Sequence, residues 1–287
     1  MRSVPPKLRL VALMVLTVAY AFAESDTDRA TLLYNHAEYS AAIGILSHIR
    51  NPDLELLGQC YFMEGDFRRA ADSLEKAAVL NPDSSMIQTW LGRAWGRRAE
   101  TAFPLLAARY AAKTRQAFEK AVQLDPTSAA ALGDLFDFYL DAPAIMGGGI
   151  DKAATLLPRM TRYDPVEADL AQARIEEAQK RFEPAEQSLQ RAMEKAPRDV
   201  IPILLLAQFL ARRGRVDESE KAFQRAATIA PNSPRVLFAR ADSYLRAKRH
   251  IDQARDLLKR YLAAKNLTPD DPPRWEAINL LKKAEGA

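Results

Sequence analysis

Residues 51–82 read NPDLELLGQCYFMEGDFRRAADSLEKAAVLNP, and this stretch decides how the whole chain is interpreted. Two short helical patterns are joined by a turn at Gly65, and Pro82 ends the second pattern. The apolar or small positions of the two patterns are Leu57, Gly58, Tyr61, Ala70, Leu74 and Ala77. A unit of this size cannot bury its own apolar face, so the stretch predicts a stack of similar units.

The spacing of the second pattern returns four more times along the chain. Each copy has a small residue, an apolar one four positions on, another three further, and a proline five beyond that. The copies are Ala70-Leu74-Ala77-Pro82, Thr114-Phe118-Ala121-Pro126, Ala153-Leu157-Met160-Pro165, Ala185-Leu189-Ala192-Pro197 and Ser219-Phe223-Ala226-Pro231. This i, i+4, i+7 spacing is one face of an amphipathic helix, which the proline ends. With no alternating β-branched run in the sequence, it predicts an all-α fold.

These residues make the chain similar to the tetratricopeptide repeat family, whose unit is an antiparallel helix pair of about 34 residues. The resemblance implies a right-handed superhelical α-solenoid over residues 24–287, with about seven helix pairs and a capping helix at about 272–287. Uneven proline intervals predict lengthened helices around residues 97–110, broken at Pro104, and a loop over residues 142–149. The segment 136–153 also resembles exported bacterial tetratricopeptide proteins of undefined role, which implies no activity.

Residues 1–23 have the layout of a secretory signal peptide. Its parts are, in order, Arg2, Lys7, Arg9, an apolar run over residues 10–22, and the small-x-small sequence Ala21-Phe22-Ala23. We expect cleavage after Ala23, leaving no integral membrane span, and a periplasmic or secreted protein. The alternative is an uncleaved anchor, which would make the chain a membrane-tethered envelope assembly factor.

The charge balance argues against nucleic acid as a partner. Three of the 41 basic residues and none of the 37 acidic ones lie in residues 1–23, so the remainder carries a net charge of +1. Such a chain lacks the basic excess of nucleic-acid-binding proteins. Its single cysteine, Cys60, lies in an apolar stretch, which predicts a buried thiol. Export without disulfides is consistent with a bacterial periplasm.

No arrangement of residues in the sequence predicts an enzyme, a metal site or a cofactor. The three histidines, at 36, 48 and 250, lack a second ligand-type residue at metal-binding helical spacing. Glycines 147–149 precede a helical pattern, but the Lys-Ser/Thr ending of a phosphate loop is absent, so we interpret them as a loop between two helices. An enzyme with a cryptic site is the least favoured alternative.

The resemblance also implies where a partner would bind, because the first helices of such pairs line a concave groove. The residues that fall there are Gln59, Phe62, Trp90, Arg93, Arg97, Asp134, Asp137, Asp141, Arg174, Glu177, Gln208 and Arg212, continued by Asp242 and Arg246. Tryptophan and arginine are favoured at binding hot spots, which predicts a protein or peptide partner. The alternative is that the arginines and carboxylates of adjacent units pair with one another. The family's clamp for a terminal carboxylate is not implied, because its asparagine positions are occupied by other residues.

A basic insertion accompanies the lengthened helices. It contains Arg98, Arg109, Lys113, Arg115 and Lys120, interrupted by Glu100 and Glu119. Such a patch could contact anionic lipid headgroups or an acidic partner, and a solvated helix face is the alternative. Peripheral association with the cell envelope is compatible with either.

Overall fold

The computed structural model of the chain describes residues 25–286, so the expected signal peptide over residues 1–23 lies outside the described part. Within residues 25–286 the regular structure is entirely helical, with sixteen α-helices and one short 3-10 helix. None of these helices combines the length and the apolar character that crossing a membrane requires. The predicted all-α class is therefore confirmed.

The helices follow one another as antiparallel pairs of a first and a second helix. The seven pairs are α1 (Asp26–Asn35) with α2 (Tyr39–Leu46), α3 (Leu54–Met63) with α4 (Phe67–Leu80), α5 (Ser85–Glu100) with α6 (Pro104–Leu124), α7 (Ala129–Asp141) with α8 (Ile150–Ala154) and α9 (Leu157–Tyr163), α10 (Pro165–Ala178) with α11 (Phe182–Lys195), α12 (Val200–Arg212) with α13 (Val216–Ile229), and α14 (Pro234–Arg246) with α15 (Ile251–Ala263). A last helix, α16 (Arg274–Glu285), follows them, and the 3-10 turn Ala144–Met146 lies in the loop after α7.

Side-chain caps fix where most first helices begin. Asp53 accepts a hydrogen bond from the Leu56 amide at 3.0 Å at the start of α3. Ser84 and Ser128 do the same for α5 and α7 at 3.2 Å. Such caps satisfy amides that have no partner inside the helix, so each pair starts at a defined residue and stacks in a defined register.

The second-helix stripes predicted from the spacing are buried in four of the five units. The fourth pair differs, because its second helix is divided into α8 and α9. Pro158 has no amide hydrogen to bond the carbonyl of Ala154, which favours a break at this point. As a result Leu156, 8% exposed, takes the interior position, and Leu157 is half-buried. The prediction of Leu157 as the core residue is wrong by one position.

The third pair is the longest of the series. Helix α5 has 16 residues and α6 has 21, whereas α3 and α4 have 10 and 14. Pro104 is the first residue of α6, where its missing amide costs nothing, and Phe103 before it is extended. The predicted lengthening and the break at Pro104 are both present, and they form a projecting hairpin.

The two ends of the solenoid share one hydrophobic cluster. It contains Tyr34, Tyr39 and Leu57 from the first pairs together with Tyr261 and Ala277 from the last helices. Burial, followed by the nearby hydroxyls of Tyr34 and Tyr261, raises the pKa of Tyr39 above its ordinary value. The N-terminal and C-terminal units therefore cover each other's apolar faces.

Cys60 belongs to this cluster and is fully buried, as the sequence predicted. Burial is also the largest cause that raises the pKa of its thiol to about 12. The thiol is therefore protonated at neutral pH and behaves as a small apolar side chain.

The close packing of α5 against α6 should depend on Gly92. A Cβ at Gly92 would lie 2.4 Å from the ring of buried Phe118, which leaves no room for a methyl group. We expect Gly92→Ala to lower the free energy of unfolding by about 1–3 kcal/mol in urea titrations, because the added methyl overpacks the interface. Gly133→Ala is the control, since nothing lies within 4 Å of its Cβ position, and it should raise stability by up to about 1 kcal/mol. Equal effects of the two substitutions would contradict this packing argument.

Candidate functional site

The first helices of successive pairs form the inner face of the solenoid. Helices α3, α5 and α7 approach one another in order, as do α12, α14 and α16. Within residues 25–286 successive second helices approach one another less closely, although Lys113 of α6 reaches Glu75 of α4 at 2.9 Å. The first helices therefore line the concave side, which is where the sequence placed the candidate groove residues.

The charged residues of this face pair with one another from one unit to the next. Arg93 Nε lies 2.6 Å from Asp134 Oδ2, which links α5 to α7. Arg174 bonds Asp137 and lies 3.1 Å from Asp141, which links α7 to α10. We call the full set the charge ladder; it consists of Arg93, Asp134, Asp137, Asp141, Arg174, Glu177 and Arg212.

The last rung of the charge ladder is bidentate. Arg212 Nε and Nη2 donate to the two oxygens of Glu177 at 2.9 and 2.8 Å, which links α10 to α12. A planar guanidinium matched to a carboxylate fixes the geometry of both side chains. The sequence left two interpretations of these charged residues, partner binding and mutual pairing. The structure contains the mutual pairs.

Asp134 is the most perturbed carboxyl group of the charge ladder. Burial raises its pKa to about 6, and the guanidinium of Arg93 opposes this shift. Burial also raises the pKa of Asp137 above its ordinary value, against the opposing effect of Arg174. For Asp134 and Asp137, the cost of desolvating the charged carboxylate therefore outweighs the effect of the paired arginine on the pKa.

The predicted aromatic residues lie beside the ladder, and most of their surface is covered. Trp90 is only 9% exposed, and its ring packs edge-to-face on Phe62 with centroids 5.4 Å apart. The Arg93 guanidinium stacks on the Trp90 ring, with its carbon 4.6 Å from the centroid. Gln59 is half-buried and donates to Glu55 at 3.1 Å. Trp90 therefore orients Arg93 and presents little of its ring to a partner.

The C-terminal helix, α16, contacts α5 and the beginning of α4. Glu276 on α16 pairs with Arg97 at 3.1 Å, and Trp275 packs edge-to-face on Phe67 with centroids 5.5 Å apart. The Trp275 ring would lie only 3.2 Å from a Cβ at Gly65, where φ is +81°. Glycine is needed there both for the turn and for the close approach of the ring. Sequence reasoning assigned α16 the role of a cap and missed these contacts, which join residues far apart in the chain.

One part of the groove remains open. A cavity of about 540 Å³ lies between α12 and α14, and we call it the α12–α14 cleft. Its residues are Gln208, Ala211, Arg212, Asp242, Ser243, Arg246 and Ala247. Asp242 and Arg246 pair at 2.6 Å within one helix, and Arg246 is 74% exposed, so this pair is held less firmly than the rungs between units.

Comparison with known proteins agrees with this geometry. Sequence models described as tetratricopeptide repeat match residues 53–84 and 176–237. The chain therefore contains tetratricopeptide repeats. No curated protein sequence matches it.

Two solved structures show the same fold as this tetratricopeptide repeat protein. One is a tetratricopeptide repeat protein from Parabacteroides merdae, with a TM-score of 0.58 and 14% identity over 91% of this chain and 97% of that one. The other is a thermophilic tetratricopeptide repeat protein from Thermus thermophilus, with a TM-score of 0.54 and 19% identity over 64% of this chain and 97% of that one. At these identities the likeness concerns the fold alone.

The contact between α16 and the groove should stabilise the protein. We expect Trp275→Ala to lower the free energy of unfolding by about 1–3 kcal/mol in urea titrations, because it removes the ring that lies against Phe67 and Arg97. Ile278→Ala on the same helix, at a side chain that is 41% exposed, should cost less than about 1 kcal/mol. Equal losses would show that the Trp275 contact adds nothing specific.

The carboxyl group of Asp134 should titrate far above its ordinary range. We expect a carbon NMR midpoint near pH 6, and Arg93→Ala should move it higher because the guanidinium favours the ionised form. Since the folded pKa exceeds the ordinary 3.8, this group's contribution to stability is complete below about pH 4 and is lost as pH rises through about 6. Asp134→Asn should remove that part of the pH dependence. Arg109→Ala, on the distant hairpin, should leave the midpoint unchanged, and a midpoint near 4 in the native protein would contradict the assignment.

Proposed function

We propose that this tetratricopeptide repeat protein is an exported, non-catalytic scaffold that binds a protein or peptide partner in the α12–α14 cleft. The family resemblance supports the coarse part of this statement, because tetratricopeptide repeats are interaction modules. The open cleft on the concave face supports the location of the site.

The single observation that carries the proposal is the composition of the α12–α14 cleft. Its volume of about 540 Å³ lies within the range of ligand pockets, roughly 300–1,000 Å³. Ala211, Ser243 and Ala247 contribute small side chains to its lining, and Arg246, which is 74% exposed, borders it with positive charge. A short peptide segment with a carboxylate side chain matches both the size and the charge.

The energetics of the charged side chains favour this cleft over the rest of the groove. The Asp242–Arg246 pair is confined to one helix and its arginine is 74% exposed, so a partner's carboxylate can bind Arg246 without breaking a link between units. Arg93 is more buried than Arg246 and its pair with Asp134 connects two units, and Arg97 is already paired with Glu276. Binding at those positions would require the loss of pairs that link adjacent units.

The cellular location in this proposal comes from residues 1–23, which have the layout of a secretory signal peptide. The intact mass of the protein recovered from the cell envelope tests it. Loss of residues 1–23 is the expected result. Retention of those residues would instead favour the membrane-tethered envelope factor.

Site-specific crosslinking tests the cleft. A photo-crosslinking phenylalanine analogue in place of Gln208 should yield a discrete adduct in the cell envelope. Combining it with Arg212→Ala and Arg246→Ala should reduce that adduct at least about tenfold, because arginines at the centre of an interface dominate binding.

The matched control for this experiment is Arg225→Ala on α13, an exposed arginine of the outer helix layer. It should leave the adduct unchanged, and circular dichroism should confirm that all variants remain folded. An adduct that persists in the double arginine variant would place the binding site elsewhere.

A further inference from the structure

The hairpin of α5 and α6 carries an apolar tip that nothing in the described chain covers. Phe103, Leu105 and Leu106 are 83%, 86% and 42% exposed, and we call these three residues the hairpin tip. Helix α6 is seven residues longer than α4, which corresponds to about 10 Å of additional helix. The tip therefore projects beyond the edge formed by the turns of neighbouring pairs.

The fold does not need these apolar side chains. The hairpin is held by other residues of α5 and α6, among them Ala94, Trp95, Ala111 and Thr114, all of which are buried. A contiguous group of exposed apolar residues on a soluble protein commonly marks a contact surface. The side chains around the tip indicate which kind of partner this surface fits.

Positive charge surrounds the hairpin tip. Arg98 stacks on Trp95 and Tyr110, with its guanidinium carbon 4.4 and 4.6 Å from the two ring centroids. Arg68 and Arg109 are exposed. None of these three arginines forms an ion pair with another residue between 25 and 286.

The carboxylates near the tip are mostly neutralised. Asp66 pairs with Arg69 at 2.6 Å, and Glu100 pairs with Arg97 at 2.9 Å. Glu64 accepts a hydrogen bond from the Ser40 hydroxyl at 2.8 Å and has no ion pair within the described residues. Three unpaired arginines thus stand against one unpaired carboxylate.

The arginines and the apolar side chains belong to one surface. Arg68, Arg98, Phe103 and Leu106 all line one open cavity of about 780 Å³. Arg109 follows Leu105 by four positions and Leu106 by three, so it shares their helix face. The geometry is a convex apolar tip with cationic side chains behind it.

The loop after α7 adds another exposed apolar side chain to this edge of the solenoid. Ile145 is 94% exposed in the 3-10 turn after α7, and this turn contacts α6. The loop is held by two hydrogen bonds: the Gly149 amide donates to the Tyr139 carbonyl at 2.6 Å, and Lys152 Nζ donates to the Gly147 carbonyl at 2.8 Å. Turns from first to second helix lie on one edge of a stack of antiparallel pairs, so Ile145 and the hairpin tip face the same way.

We propose that this edge docks on the surface of an anionic phospholipid bilayer. Phe103, Leu105 and Leu106 enter the boundary between headgroups and acyl chains, and the arginines behind them contact lipid phosphates. A convex tip suits a deformable bilayer better than a protein partner, since a specific protein interface needs about 800 Å² on each side. This contact lies apart from the concave groove, so the protein can hold a partner and a membrane at once.

Vesicle cosedimentation of the full chain tests the proposal. The protein should bind mixed phosphatidylglycerol and phosphatidylcholine vesicles more tightly than phosphatidylcholine alone, and added salt should weaken the preference. Phe103→Ser with Leu105→Ser should lower the partition coefficient at least about tenfold, because the inserted apolar area is lost. Arg68→Ala with Arg109→Ala should reduce the preference for anionic vesicles.

The chain offers a matched control at the opposite edge. Val79 and Leu80 at the end of α4 are 81% and 70% exposed, so Val79→Ser with Leu80→Ser removes similar apolar surface away from the tip. This variant should bind as the native protein does. Every variant carries the same first 24 residues, so any contribution from that segment cancels in the comparison.

An environment-sensitive fluorophore gives a second, local measurement. Phe103→Cys can be labelled selectively because Cys60 is buried, and its emission should shift to the blue on anionic vesicles, whereas Val79→Cys should show no shift. Absence of binding to anionic vesicles, or equal losses for the tip and control variants, would overturn the proposal. Crosslinking of the tip to a protein without any vesicle binding would overturn it in favour of a protein contact.

Discussion

Each helix pair of this chain presents an apolar stripe that it cannot cover by itself, and the architecture follows from that constraint. Within the stack, the stripe of one pair is covered by the next, and small residues such as Ala70 and Ala121 let the helices approach closely. Within residues 25–286 no pair precedes the first one, and only the single helix α16 follows the last one. Here the shared cluster around Tyr39 and Tyr261 removes both exposed faces at once. The position of α16 follows from the same requirement, since Ala277 is buried in that cluster.

The charge ladder has a different origin and a different effect. Its arginines pair with carboxylates of adjacent units, so the concave face is nearly neutral although it is rich in charge. Exposed pairs of this kind contribute little stability individually, and their main effect is on register and on the choice of partner. A ligand of the groove must offer charges in an order that replaces the pairs it breaks. Beside the ladder, the pair of Asp242 and Arg246 lies within one helix, so its replacement breaks no link between units.

Local spacing was enough to predict the helices, their pairing and most of the core. The i, i+4, i+7 stripe placed Leu74, Leu189 and Phe223 correctly because it depends on the geometry of one helix. It failed at Leu157, where a proline shifted the register of α9. The rungs of the charge ladder stayed undecided, because they depend on the rotation between adjacent pairs. The contacts of α16 were missed for a related reason: they depend on the summed curvature of the whole array, to which every pair contributes a little.

The closure of the two ends also changes how the array can come apart. A linear repeat protein frays from its termini, because each terminal unit has a single neighbour and opens at low cost. In this chain the terminal units hold each other, so neither can detach without exposing the other. Opening should then require most of the array to give way together, with a single cooperative transition instead of stepwise loss of units. Such a molecule resists proteases that attack partly opened chains.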